Sequence, residues 1–314
     1  SGDSLDSTGH NQNGSHMNQH HVALITDSTC DIPKDLIEQY DITVVPLHVI
    51  WGNETFRDRI DLQPKAFYRR LTEDPQYPTT AHPTPEGFLA TYEAAVEEGA
   101  TEIVVITLSS ELSGAFGAAR KAGTMIDSPV HVFDSKGTTM SLGWQVLAAA
   151  RARQAGGDPS RGSGQARAMI QAADEVRRRV ILYVSLDTLE YLHKGGRIGG
   201  AAKFIGSLLN VKPLVYVDHE TGRVEAAGRV RTRKRGLDTL YQRFFEALGT
   251  HEAPAANEMH IAVMHGDAPQ DARRILERIQ RDYSPAELLT DVTGPVLGVH
   301  TGPRAIALCG YVEV

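Results

Sequence analysis

Short apolar runs alternate with longer stretches of mixed polarity along most of this chain. Val22 to Thr26 is the first run, and Asp27-Ser28-Thr29-Cys30-Asp31-Ile32-Pro33 follows it. That order predicts a strand, a polar loop and a proline-started helix. Ile42 to Trp51, rich in β-branched residues, predicts a second strand. Ile103 to Thr107 predicts a third, with so little polar alternation that both faces should be covered. Val130 to Phe133 predicts a fourth. Pro64 and Pro85 sit where a helix's first turn tolerates a missing N–H, with Thr84 as the N-cap of the second. An Ala-rich helix is expected after Ser109 to Gly114, another from about Thr138 to Gln154, and a charged amphipathic one from about Gly164 to Arg178. The stretch Ala155-Gly156-Gly157-Asp158-Pro159 is a helix stop. Strands alternating with helices predict an α/β domain with a parallel sheet over residues 18–178.

The second half has a different rhythm. Val180 to Val184 reads as a strand, and Leu182, Leu186 and Leu189 as the start of a helical stripe. Pro213 to Val217 and Arg223 to Val230 flank the polar loop Asp218-His219-Glu220-Thr221-Gly222, which predicts a β-hairpin. His260 to Met264 predicts a strand, Gln270 to Asp282 a helix, and Ala305 to Val314 a last strand. Gly249 to Glu258 looks like a loop insertion. Hairpins mixed with helices predict an α+β domain over residues 179–314 with a mixed or antiparallel sheet. Residues 1–17 stand apart: polar, rich in Ser, Asn, Gln, Gly and His, they read as an expression-vector remnant ending at Met17.

Composition narrows the function. The formal net charge of -7 disfavours generic nucleic-acid binding, which needs an excess of positive charge. Two cysteines, Cys30 and Cys309, make neither a disulfide framework nor a metal cluster, and both read as small buried hydrophobes. No apolar run reaches the roughly 18 residues of a membrane span. A cytoplasmic monomer without metal or cofactor is the expectation.

Three loops could carry chemistry. Ser109-Ser110-Glu111-Leu112-Ser113-Gly114 follows the third strand, where ligands bind in open α/β sheets. Its hydroxyls and a helix N-terminus suit an anion, although a serine there can equally be a helix cap. Pro78-Thr79-Thr80-Ala81-His82-Pro83-Thr84-Pro85 is held stiff by three prolines. Gly294 to Pro303 places His300 among glycines, where backbone can approach a ligand. Two basic segments stand out as well. His193-Lys194-Gly195-Gly196-Arg197-Ile198-Gly199-Gly200 matches neither a dinucleotide fingerprint nor a Walker A loop, and reads as a tight turn between helices. Arg229 to Arg235 could be a solvated helix start, a nucleic-acid contact or a docking patch. The acidic chain puts docking or solvation first.

Taken in order, these segments resemble the DegV family. Thr26-Asp27-Ser28-Thr29-Cys30-Asp31-Ile32-Pro33 is similar to its first strand and loop. Thr80-Ala81-His82-Pro83-Thr84 resembles its Thr-Ser-Gln-Pro-Ser loop, and Ser109 to Gly114 its Ser-Ser-x-Leu-Ser-Gly loop. Leu189 to Ile198 and Gly298-Val299-His300-Thr301-Gly302-Pro303 resemble its two later motifs. The resemblance runs from about Val22 to Val314. It implies two domains with a long-chain fatty acid between them, its carboxylate held by Thr80, Ser113 with Gly114, and His300. It also implies a carrier rather than an enzyme, which presents the carboxylate to a separate ATP-dependent fatty acid kinase. The product is an acyl phosphate used in phospholipid synthesis, and membrane contact is at most transient. Arg197 and Arg231 are the expected kinase-facing cations. The chain departs from the family pattern at Ala81, His82, Ala115, Phe116 and Arg304. A ligand carboxylate beside His300 is expected to favour the imidazolium, against burial. The competing reading is a serine acyl hydrolase using Ser113 and His300. A third is a nucleic-acid-binding regulator using Arg229 to Arg235.

Overall fold

The computed structural model describes residues 21–156, 164–207, 211–249 and 258–313. The 1–17 segment, Gly157 to Pro159 of the helix stop and nearly all of the Gly249 to Glu258 stretch lie outside those residues.

The first apolar run forms β1 (Val22–Asp27), wholly buried. A short 3₁₀ turn leads into α1 (Lys34–Gln39) and then β2 (Ile42–Val45). The expected single strand Ile42 to Trp51 is two strands. Pro46 follows β2, and β3 (His48–Trp51) turns away into another sheet. Proline has no N–H for a ladder, so the run of β-branched residues is cut there. β3 pairs antiparallel with β4 (Glu54–Arg57) and, after α2 (Pro64–Glu73), with β5 (Thr79–Ala81). α3 (Pro85–Glu97) starts as expected, with the Thr84 hydroxyl accepting from the Gly87 N–H. β6 (Glu102–Thr107), α4 (Ala115–Gly123) and β7 (Val130–Asp134) follow. The order β2-β1-β6-β7 is parallel throughout, and every residue of β6 is buried.

Next come α5 (Met140–Ala155) and α6 (Gly164–Arg177). α5 is buried on nearly all sides because it packs against β1 and β6 on one side and the second sheet on the other. Its Trp144 meets His260 and Tyr311 edge-on.

The second sheet contains β8 (Ile181–Ser185), β9 (Lys212–Asp218) and β10 (Arg223–Val230), separated by α7 (Glu190–Lys194) and a 3₁₀ stretch over Gly199–Ser207. After α8 (Arg233–Ala247) come β11 (Met259–His265), α9 (Pro269–Asp282), β12 (Glu287–Val292), α10 (Pro295–Thr301) and β13 (Ile306–Val312). The order is β10-β9-β8-β13-β11-β12, antiparallel except for the β11–β12 pair, so the sheet is mixed. α8 and α9 cover one face through Leu240, Phe244, Phe245, Ile275 and Ile279. The other face joins the core of the first half in one continuous apolar cluster.

The predicted hairpin is β9–β10, closed by the Gly222 N–H on the Asp218 carbonyl at 2.6 Å. Leu186 and Leu189 begin no long helix. They are buried in the connection to the five-residue α7, because strand pairing of Ile181–Ser185 overrides the stripe. β12 escaped the sequence pattern, since Glu287-Leu-Leu-Thr-Asp-Val is half polar and lies at the sheet edge.

Candidate functional site

Between the two sheets and the small β4-β3-β5 sheet lies an apolar cavity of about 120 Å³. Alternation along the strands turns Leu182 and Val184 of β8 and Val215 and Val217 of β9 into it. Leu108 and Leu112 enter from the loop after β6, and Thr80, Ala81 and His82 from β5 and the residue after it. Thr138 and Thr139 enter from the segment after β7.

His300 belongs to a helix, not to the glycine-rich loop expected from the sequence. α10 has Pro295 in its first turn and stops at Gly302, whose φ of 73° disfavours any other residue. The missed signal was this Pro-start, Gly-stop pair together with Leu297, His300 and Thr301 at helical spacing, all of which line the cavity. Gly298 lies on the opposite side, where a Cβ would come 2.4 Å from the Phe67 ring.

Residues of the first half hold α10 in place. The Asp31 carboxylate accepts from Arg59 Nη2 at 2.7 Å, the Gly294 N–H at 3.0 Å and the Thr139 hydroxyl at 2.7 Å. Asp58 accepts from the Ser28 hydroxyl at 2.7 Å and the Val296 N–H at 3.3 Å. Burial pushes the Asp58 carboxyl up to about 7. Tyr77 donates to the Val299 carbonyl at 2.6 Å. Asp31, Arg59 and Thr139 all have positive φ, at 51°, 60° and 45°. The network thus keeps three left-handed non-glycine residues in register, at a backbone cost of order 1 kcal/mol each.

His300 Nε2 lies 2.9 Å from Thr80 Oγ1. Nδ1 is buried without a hydrogen-bond partner, and a Cβ on Gly195 would sit 2.1 Å from it. The neutral tautomer with its proton on Nε2 therefore fits: Nε2–H donates to Thr80, which frees the Thr80 O–H to donate into the cavity. Burial and then the positive charge of Arg197 hold the imidazole down at about 4. The expected imidazolium thus faces two opposing effects, burial and the Arg197 charge.

The loop serines sort by their bonds. Ser109 donates to the Gly222 carbonyl at 2.7 Å and ties the β9–β10 turn to the first half. Lys136 reaches the Ser110 hydroxyl at 3.3 Å. Ser113 lines the cavity and accepts from the Ala115 N–H at 3.2 Å, which leaves its own O–H to donate. Gly114 is the seat for His82, since a Cβ there would come 2.6 Å from the ring. Arg197 stands at the cavity wall, exposed, with its Nε on the Leu112 carbonyl at 3.1 Å and Nη1 on Gly195 at 2.6 Å. Arg231 is exposed on the bend before α8 and is not a lining residue. Thr80, Ser113, His300 and Arg197 thus share one cavity, and Arg231 belongs to a separate surface.

Among the described residues no cluster of His, Cys, Asp or Glu could hold a metal ion, and no helix is long and apolar enough to cross a membrane.

The family model described as "Uncharacterised protein, DegV family" matches residues 21–313. A DegV domain-containing protein of Streptomyces coelicolor is 37% identical over 290 residues, 92% of this chain and 97% of that protein. A DegV family protein from Thermus thermophilus, solved as a fatty-acid-binding protein, has a TM-score of 0.81 at 31% identity, covering 93% of this chain and 99% of that one. DegV from Bacillus subtilis, described as a fatty acid binding protein, also gives 0.81 at 31% identity, covering 94% and 100%.

Proposed function

The chain belongs to the DegV family, and on that premise we propose that it binds a long-chain fatty acid and presents the carboxylate to a partner ATP-dependent fatty acid kinase. The observation that carries the first half is the junction of a small set of hydroxyl donors with a long apolar wall. The Thr80 and Ser113 hydroxyls donate to the carboxylate, and His300 fixes the Thr80 proton by occupying its lone pair. Arg197 supplies the positive charge, so His300 need not be protonated. A buried carboxylate is costly unless bonded and paired, and this set offers both. The tail lies on Leu182, Val184, Val215 and Val217. Each methylene that the wall buries contributes about 0.8 kcal/mol before association costs.

A hydrolase using Ser113 and His300 is disfavoured by geometry. A catalytic imidazole needs Nε2 on the nucleophile and an acidic group on Nδ1. Here Nε2 meets Thr80, and Nδ1 packs on Gly195 with no hydrogen-bond partner. That arrangement of the imidazole supports the carrier reading over the hydrolase.

The exposed Arg231, outside the cavity, is the cation to test for kinase docking. Arg231→Glu should leave fatty-acid affinity within twofold while slowing acyl-phosphate formation by a cognate kinase severalfold. Unchanged turnover would remove Arg231 from the docking surface.

A further inference from the structure

The six-stranded sheet comes apart between β8 and β9. Their pairing ends at Tyr183 opposite Tyr216. β8 nevertheless continues to Ile181, still paired with β13, and β9 continues to Asp218, still paired with β10. Behind this split is a second cavity of about 560 Å³. Leu182 and Val217 line it, and both also line the apolar cavity. From this shared wall we propose that the split is a rear extension of the acyl site. It takes the methyl end of fatty acids too long for the apolar cavity, and Leu182 and Val217 set the length accepted. The proposal rests on the fatty-acid reading above.

The strand register places this gate far from the carboxylate end. α10, with His300, leads into β13 at Ile306, opposite Ser185. Leu182, opposite Cys309, lies three residues further along, roughly 10 Å. A chain anchored near His300 and running along the sheet therefore meets Leu182 and Val217 late in its course. Those side chains are 1% and 6% exposed, so the gate is closed when no chain pushes on it. Past it the walls are Val180, Ile181 and the paired Tyr183 and Tyr216 rings, whose centroids are 5.7 Å apart. At the rim, Arg177 bonds Asp174 and the His219 carbonyl, so its charge is already partnered. Arg178, Asp218, His219 and Glu220 complete the lining, so a methyl end here finds apolar cover only along Val180, Ile181 and the two tyrosine rings. Each methylene that finds such cover tightens binding two- to fourfold.

The test uses the parent protein first. Two saturated fatty acids carrying a terminal diazirine, one of palmitate length and one of behenate length, are bound and photolysed. The shorter probe should label the front wall around Val184 and Val215, and the longer one Ile181, Tyr183 or Tyr216. Identical front-wall labelling by both probes overturns the proposal while leaving fatty-acid binding intact. Binding of neither probe overturns the underlying reading, and this proposal with it. In titrations, Leu182→Ala should tighten behenate at least fourfold relative to myristate. Val217→Ala is the second variant should the first not fold. An unchanged ratio of the two affinities in the folded variant overturns the assignment of the gate.

Discussion

Replacing Thr80 by valine removes one hydroxyl and little else. Valine matches threonine in shape and suits the strand, where Thr80 pairs with Val49. The hydroxyl has two roles in the account, and they separate into two readouts. It lies 2.9 Å from His300 Nε2 and accepts from it in the Nε2–H tautomer. Its loss leaves a largely buried N–H unpaired in both states, which lowers folding stability by about 1–3 kcal/mol. It also donates to the ligand carboxylate in the complex alone. A hydrogen bond to a charged group contributes about 1.5–3 kcal/mol, so Kd should rise roughly ten- to 150-fold. Titration with a fluorescent fatty acid reads the second effect, and urea unfolding without ligand reads the first. The matching fatty alcohol lacks the carboxylate and should bind the Thr80→Val protein and the parent within about twofold. Thr80→Ser should recover most of both losses. Equal fatty-acid affinity in Thr80→Val and parent, or an equal loss for acid and alcohol, would refute the carboxylate role.

Ser113→Ala should weaken fatty-acid binding by a similar roughly ten- to 150-fold without unfolding the protein, measured in the same titration. Gly195→Ala should damage binding, because its Cβ would fall 2.1 Å from His300 Nδ1 although the backbone φ of -76° is ordinary. Gly196→Ala, with φ of +70° and nothing within 4 Å, should cost about 1 kcal/mol of stability and leave affinity unchanged. The gap between about 4 for His300 in the fold and its ordinary 6.5 corresponds to about 3 kcal/mol. Below 6.5 the unfolded chain binds a proton that the fold refuses, so parent stability should fall relative to His300→Asn as pH drops from 6.5 to 4. The difference between the two proteins isolates this effect from Asp58, whose raised carboxyl acts in the opposite direction. With His300 neutral, calorimetry between pH 6 and 8 should give the same binding enthalpy in buffers of different ionisation enthalpy. Uptake of about one proton would return the charge-pairing role to His300.

The parallel sheet and the hairpin were legible because local pattern and tertiary role agree. β6 is apolar on both sides and covered on both, and Asp218 to Gly222 is turn chemistry used as a turn. Pro46 was equally visible, but the apolar run through it concealed that its two halves serve different sheets. Thr80, Ser113 and His300, read from three separate segments, line one cavity. What the sequence withheld was how they meet. That Nε2 takes Thr80 and Nδ1 takes nothing depends on Gly195, a residue 105 positions from His300 along the chain, packing against the ring. Arg197 is exposed, as its setting in the sequence suggests, but nothing local says that its guanidinium folds back to Leu112 and Gly195. The Asp31–Arg59–Gly294 junction joins three distant segments, and none of them carries a local sign of the others.

The central claim is that this cavity holds one long-chain fatty acid. Native mass spectrometry of the protein purified from bacterial cells, followed by organic extraction and analysis of the released lipid, tests it most directly. The expected result is a species heavier by a single fatty acid, with that acid recovered in the extract, and conversion of any empty protein to the same species on adding palmitate. A protein that carries no lipid and takes up no palmitate at micromolar concentration would contradict it.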